Sequence, residues 1–343
     1  MPDISNRTLR NWADETGLVD LTVAEQDFRI SYALRDLFED GYLKSVLLLK
    51  GGTAINKLYL KDTSRISVDI DVNHTGENKD TVAGQAKSVR EAIVRTLSRQ
   101  DPGYRFTVPR KDWYQTTIHA IYKPIIGEDR KLKIEVSHIE RFPITEPTLK
   151  SFVIPGNSKE TCNIPTYSLD ELMATKYRAL FTRAKGRDIY DIYHALKLGI
   201  DRTLVRKMFI YYLFRVGKVY NPKLDLVAVR NRLSNKQYVD DVTGYVKQRV
   251  SFSLAEAALS VIADSKFLGE LDERDRVFIA LARSVLKKKQ QASKSHRDAV
   301  KQITHPLNEL FQPELSITSA ARKITLEEIK PRISDLRGVV IDE

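Results

Sequence analysis

Two carboxylates placed two residues apart carry the first chemical signal in the chain. In Arg65-Ile66-Ser67-Val68-Asp69-Ile70-Asp71-Val72-Asn73 apolar and polar residues alternate, which is the period of a half-buried strand. Ile66, Val68, Ile70 and Val72 share one face, and Ser67, Asp69, Asp71 and Asn73 the other. Asp69 and Asp71 therefore project side by side, roughly 6.6 Å apart over two strand rises. Like charges at that spacing raise each other's pKa unless a cation sits between them. Mg²⁺ accepts one or two carboxylates and completes its shell with water and substrate phosphates. A solvated edge strand also displays aspartate on one face, so the pair gains its meaning from what surrounds it.

Upstream, Val46 to Lys50 reads as a short apolar strand that runs into Gly51-Gly52-Thr53 and then a helical stretch from Ala54 to about Leu60. A strand, a glycine turn and a helix start make an anion site, because glycine lets the backbone approach a phosphate and the first-turn N–H groups point at it. Downstream, Lys131-Leu132-Lys133-Ile134-Glu135-Val136-Ser137 alternates in the same way and brings Glu135 out on its polar face. Its sequence neighbours Asp129 and Glu140 lie off that pattern.

Ser168 and Glu171 form a capping box ahead of a helix from Leu169 to Arg183. Leu169, Leu172, Met173 and Leu180 make its apolar stripe, and Lys176 falls within it. Its ammonium either snorkels to water or points into a polar cleft where phosphates neutralise it. The next helix opens at Gly186-Arg187-Asp188-Ile189-Tyr190-Asp191 and ends at Gly199. Asp188 and Asp191 share one flank, and acids in a first turn are favoured by the helix dipole with no catalytic role required.

Gly51-Gly52-Thr53 followed by Ser67-x-Asp69-x-Asp71 resembles the glycine-turn and DxD signature of polymerase β-type nucleotidyltransferases. Leu49-Lys50-Gly51-Gly52-Thr53-Ala54-x-x-x-Leu58-Tyr59 with Arg65-x-Ser67-x-Asp69-x-Asp71 is similar to the AbiEii/MenT toxin branch. So is Asp170-Glu171-Leu172-x-Ala174-x-Lys176 continuing through Arg183 to Arg187-Asp188-x-x-Asp191. The resemblance covers roughly residues 46 to 200. It implies transfer of a nucleoside monophosphate from an NTP to an acceptor hydroxyl, with a tRNA 3′ end as acceptor, translation arrest as outcome and a cognate antitoxin as partner. It also implies site roles: Asp69, Asp71 and Glu135 for Mg²⁺ or Mn²⁺, and Gly52, Thr53, Ser67, Lys176 and Arg187 for the nucleotide. Asp188 joins Asp69, Asp71 and Lys176 among the catalytic residues, either as base for the attacking hydroxyl or as organiser of Lys176 and Arg187.

These residues must be positioned by a fold that changes character along the chain. Strand and helix periods mix over the first 200 residues, with helices at Val23–Phe38 and Ala83–Leu97, and after Ser168 strand signals nearly vanish. The expectation is an α+β chain: a polymerase β-like nucleotidyltransferase domain over residues 1–200, a mixed sheet flanked by helices, then an all-helical domain over 201–343. At 343 residues the chain is long enough for two cores without staples. A single cysteine, Cys162, excludes a disulfide framework. No apolar run approaches a membrane span and the start lacks a signal-peptide core, so the expected setting is the cytoplasm, away from any membrane. His74, His119, His138, His194, His296 and His305 show no zinc spacing.

The net charge of +11 is unevenly placed: residues 1–200 carry 30 basic and 27 acidic side chains, residues 201–343 carry 26 and 18. Arg283, Lys287, Lys288, Lys289, Lys294, Arg297 and Lys301 make a basic stretch suited to RNA phosphates or to a solvated helix face, and Tyr211, Tyr212, Phe214 and Arg215 add aromatic and basic character. Two rival readings stand beside the transferase on RNA. One is the same chemistry on a protein or small-molecule hydroxyl, and the other a non-catalytic nucleic-acid-binding protein on the same fold.

Overall fold

A computed structural model describes residues 4–291 other than 61–63, 76–81, 113, 139, 142, 184, 234–241, 243–244 and 249. Its strands are β1 (Leu47–Lys50), β2 (Asp69–His74), β3 (Arg105–Lys111), β4 (Gln115–Tyr122), β5 (Arg130–Ser137), β6 (Thr148–Ile154) and β7 (Asn157–Thr166). They form one sheet of seven strands in the order β3-β4-β5-β2-β1-β7-β6. The pairs β2·β5 and β1·β7 are parallel and the others antiparallel, so the sheet is mixed.

The alternation read from the sequence sets the faces. Ile70, Val72, Leu132, Ile134 and Val136 are fully buried, while Asp69, Asp71, Lys133 and Glu135 between them are only half-buried. Each fully buried aliphatic side chain contributes about 1.5–3 kcal/mol. A one-residue slip of β2 would exchange these for aspartates, which pins the register. The apolar face is covered by α2 (Leu21–Glu39), whose Arg29 stacks 4.1 Å from the ring centroid of Tyr122. The helix α2 also packs against α5 (Val82–Gln100). Asp20 starts α2 by accepting from Thr22 N–H at 2.8 Å, and α1 (Asn6–Thr16) and α3 (Gly41–Val46) precede β1.

The helices that follow are α6 (Leu169–Thr182), α7 (Gly186–Leu196), α8 (Arg202–Arg215), α9 (Pro222–Leu233), α10 (Leu254–Asp264) and α11 (Glu273–Gln291), with a 3₁₀ turn over Ser265–Gly269. Their core is aromatic: Phe209 lies 4.9 Å from Phe181 and 5.0 Å from Tyr220, ring centroid to ring centroid. Tyr211, Tyr212 and Phe214 are buried with them, so these rings serve packing rather than a nucleic-acid surface. Glu171 accepts hydrogen bonds from Ile144 N–H, Thr145 N–H, Thr145 Oγ1 and Tyr212 Oη at 2.5–2.8 Å. Those four donors stabilise a fully buried carboxyl whose pKa burial raises.

The chain divides into two compact units: residues 1–142, 147–168 and 242–253 form the first, and residues 143–146, 169–241 and 254–343 the second. The helices α6 and α7 thus group with the second unit, whereas the sequence placed them before a boundary at 200. Among the described residues the second unit holds no strand, and no helix of the chain is long and apolar enough to cross a membrane. Lys294, Arg297 and Lys301 of the basic stretch lie outside the described residues. The backbone of Lys287, Lys288 and Lys289 belongs to α11, and Arg283 is exposed on it.

Candidate active site

Asp69 is the first residue of β2, three residues later than the expected strand start at Ile66. The cause is a lack of partners: β1 pairs with β2 only from His74 to Asp71, and β5 reaches back only to Asp69. Residues 64–68 instead make irregular bonds, Ile66 N–H to Tyr245 O at 2.8 Å and Arg65 N–H to Asn56 Oδ1 at 2.8 Å. Ser67 is buried in this lead-in, not on the strand.

On β2, the register places Asp71 opposite Lys50 on one side and Glu135 on the other, with Asp69 opposite Lys133. The three predicted carboxylates are therefore neighbours on one sheet face. Glu135 is already engaged: Gln115 Nε2 donates to Oε1 at 2.9 Å and Lys133 Nζ lies 2.9 Å from Oε2. Burial opposes the charge on Lys133, but the Glu135 contact and the charges of Asp69 and Asp71 outweigh it and raise the ammonium pKa. The off-pattern acids have other company. Glu140 Oε2 stands 3.5 Å from Lys50 Nζ, and Asp129 pairs with Arg105.

Among the described residues no three His, Cys, Asp or Glu side chains converge on a single metal position. The donor set nonetheless fits a hard divalent cation held by Asp69 and Asp71, because Mg²⁺ needs only one or two carboxylates when phosphates complete its shell. Glu135 joins such a site only by giving up Lys133.

The glycine turn is coupled to this pair by contact. Gly51 has φ +72°, and a Cβ there would overlap Asp71 Oδ2 and stand 3.0 Å from the Asp71 Cβ and Cγ. Only glycine satisfies both the left-handed backbone and the closeness of the carboxylate. Thr53 Oγ1 donates to the Asp69 carbonyl, fastening the turn to the strand. Asn56, buried one turn on, donates to Gly52 O at 2.9 Å and accepts from Arg65 N–H. The helix starts as α4 (Gly51–Ala54) and widens into a π turn over Ile55–Tyr59 where a plain helix was expected. π turns recur at functional sites.

The remaining predicted residues belong to the second unit. Lys176 sits on α6 and is buried, with Nζ 2.6 Å from Asp191 Oδ2 and 3.4 Å from Asp188 Oδ1. Arg183 Nε and Nη2 donate to the two oxygens of Asp188 at 2.9 and 2.8 Å. Burial alone would raise the Asp188 carboxyl, but the Arg183 hydrogen bonds and the charges of Lys176, Arg183 and Arg187 hold it at about 2. A carboxylate clasped by a guanidinium and that weakly basic suits an organiser of cations better than a proton acceptor. Arg187 is half-buried on the first turn of α7.

Sequence reasoning passed over Lys133, Asn56, Arg183 and Asp191 as site residues. For Asp191 the signal was the i, i+3 spacing to Asp188; for Lys133 it was the shared polar face with Glu135. The histidines were read as unclustered, yet β2 and β5 bring His74 Nδ1 to 3.1 Å from His138 Nδ1. Burial lowers both rings, with help from Arg141, to about 3 for His74 and about 4 for His138.

A mixed sheet presenting paired aspartates beside a glycine turn is the architecture of a nucleotidyltransferase. The family model described as nucleotidyl transferase AbiEii toxin, type IV toxin–antitoxin system, matches residues 32–261, and the chain belongs to that family. Among solved structures it is similar to MenT4, a nucleotidyltransferase toxin from Mycobacterium tuberculosis H37Rv, with a TM-score of 0.63 and 18% identity over 88% of this chain and 99% of that one. No curated protein matches the chain.

Proposed function

We propose that this toxin is a divalent-metal-dependent enzyme that transfers a nucleoside monophosphate from an NTP to the 3′ hydroxyl of tRNA, so blocking translation, and that a cognate antitoxin restrains it. The observation that carries the reading is the closeness of Gly51 to the Asp71 carboxylate, which joins a phosphate-type turn to a metal-type acid pair. Family membership supports the reaction class.

In this reading Asp69 and Asp71 hold Mg²⁺ or Mn²⁺, with Glu135 beside them. When bound, the metal neutralises charge on the reacting and leaving phosphoryl oxygens. The backbone N–H groups of Gly52 and Thr53 receive the nucleotide phosphates, and buried Ser67 lies in the lead-in to the same strand. Lys176 and Arg187 are assigned to nucleotide phosphates, and Asp188 orients Lys176. The acceptor hydroxyl attacks the α-phosphorus, its proton passes to solvent or a nearby base, and pyrophosphate leaves.

The test is incubation of the protein with labelled NTPs, a divalent cation and total tRNA. Labelled RNA is expected, and Asp69→Asn should abolish it while the circular dichroism spectrum is unchanged. Labelling that survives Asp69→Asn would sink the assignment, and labelling of protein in place of RNA would redirect the acceptor.

A further inference from the structure

Cross-strand register extends the face of Asp69 and Asp71 well beyond them. Asp69 lies opposite Lys133, Lys131 opposite Ile121, and Ile121 opposite Arg105. Cross-strand partners share a face, so one row of side chains leads from the paired aspartates to the edge strand β3. Along it lies a groove of about 690 Å³ that begins at Asp69 and is lined by Arg105, Arg130, Lys131 and Lys133, with Asp129 and Tyr245 among the other lining residues. Of its cations, Arg105, Lys131 and Lys133 stand on this row, and Arg105 is paired with Asp129.

We infer that this groove is the docking track for a single-stranded RNA acceptor, its phosphates held by Arg105 and Lys131. The inference rests on the proposed transfer to RNA and locates that substrate on the sheet.

Three features favour RNA over the other anions at hand. The first is length. Three strand spacings separate β2 from β3, about 14 Å, a span for a run of nucleotides rather than one phosphate. The second is side. The glycine turn follows β1, on one flank of β2, and the groove leaves across β5, on the other. In-line displacement sets the attacking and leaving oxygens on opposite sides of phosphorus. With pyrophosphate leaving toward the Gly51–Thr53 turn, the attacking hydroxyl enters from the β5 side. The third is surface chemistry: Tyr245, packed against the Ile66 cluster, also lines the groove, and tracks for single strands combine a basic groove with rings on which bases stack. The basic excess of the carboxy-terminal half is therefore not the only source of positive charge for RNA.

Arg105 and Lys131 are exposed, so their removal spares the core. The double variant Arg105→Ala/Lys131→Ala is compared with wild type and with Lys87→Ala, which removes an exposed charge from α5. Binding of a fluorescein-labelled single-stranded RNA oligonucleotide is followed by anisotropy across a salt series, with NTP affinity measured in parallel by calorimetry. The double variant should bind RNA more weakly and show a log K against log salt slope shallower by about 1.4, about 0.7 for each lost phosphate contact. Its KM for RNA should rise while kcat at saturating RNA and NTP affinity hold, and Lys87→Ala should match wild type.

Unchanged RNA affinity and slope in the double variant would overturn the track while leaving the transferase reading intact. Loss of NTP affinity instead would assign the groove to the nucleotide, and competition by poly-glutamate as strong as that by RNA would assign it to an acidic protein; either outcome overturns the proposal. Wild-type protein that labels tRNA fails neither arm, whereas wild type that neither binds nor labels RNA ends both readings together.

Discussion

Among the described residues the second unit buries two lysines in nearly the same company. Lys176 meets Asp188, Asp191 and, through Asp188, Arg183; Lys207 meets Asp272 and Asp275 at 2.7 and 3.0 Å, and Arg206 shares both of those acids. In each set the aspartates are three apart at the start of a helix. They differ in what the acids do besides holding lysine. Asp272 and Asp275 cap α11 reciprocally, each accepting from the other's N–H at 2.9 and 3.0 Å, so the Lys207 set fastens α8 to the first turn of α11. Asp188 instead clasps Arg183, whose side chain is 44% exposed against 8% for Arg206. A buried ion cluster is thus not in itself a sign of a site. One that keeps a cation within reach of solvent has something left to offer an anion from outside.

The largest expected effect separates the two lysines by activity. Lys176→Met should lower nucleotidyl transfer by about 10²–10³-fold, the scale of losing one charge-stabilising donor, while Lys207→Met, assayed below its melting temperature, stays within a few fold. Equal losses would erase the distinction. Next comes stability. Lys207→Met takes one of its two cations from fully buried Asp275 and should cost about 3–5 kcal/mol in urea denaturation. A loss under 1 kcal/mol would mean that Arg206 alone can hold both acids.

The smallest effect is in acid. Asp188 has its folded pKa depressed to about 2, so its stabilising share is complete above the unfolded value near 3.9 and is lost as pH falls from there toward 2. Arg183→Met should flatten the dependence of Tm on pH in that window without touching the Lys207 set. The first unit loses stability earlier. His74 and His138 stay neutral when folded but charge when unfolded, so acidification below about pH 6.5 favours unfolding by up to about 1.4 kcal/mol per pH unit for each ring. A Tm that holds flat from pH 6.5 to 5 would contradict the buried pair.

The parts of the site that lie along one strand were legible in the sequence, since a period of two is local. Asp69, Asp71 and Glu135 were found on their faces for that reason, and Gly51 betrayed the turn because few residues tolerate its backbone. What the sequence hid depends on which strands pair. Parallel pairing of β2 with β5 sets Lys133 against Asp69 and His74 near His138, joining residues 64 apart in both cases, and no local pattern encodes that choice. The late start of β2 has the same origin: alternation continues back to Ile66, but hydrogen-bonding partners do not.

The bond from Ile66 N–H to Tyr245 O bears on synthesis of the chain. The ribosome makes the aspartate strand early, yet its lead-in takes up this support only once residue 245 has emerged, and residues 247–248 follow with contacts to Ser64 and Gly17. Prematurely terminated products, or fragments ending at residue 200, carry the acid pair without that brace. The first unit is thus closed by its last-made segment, and the lead-in to the acid pair is braced only once that segment is in place.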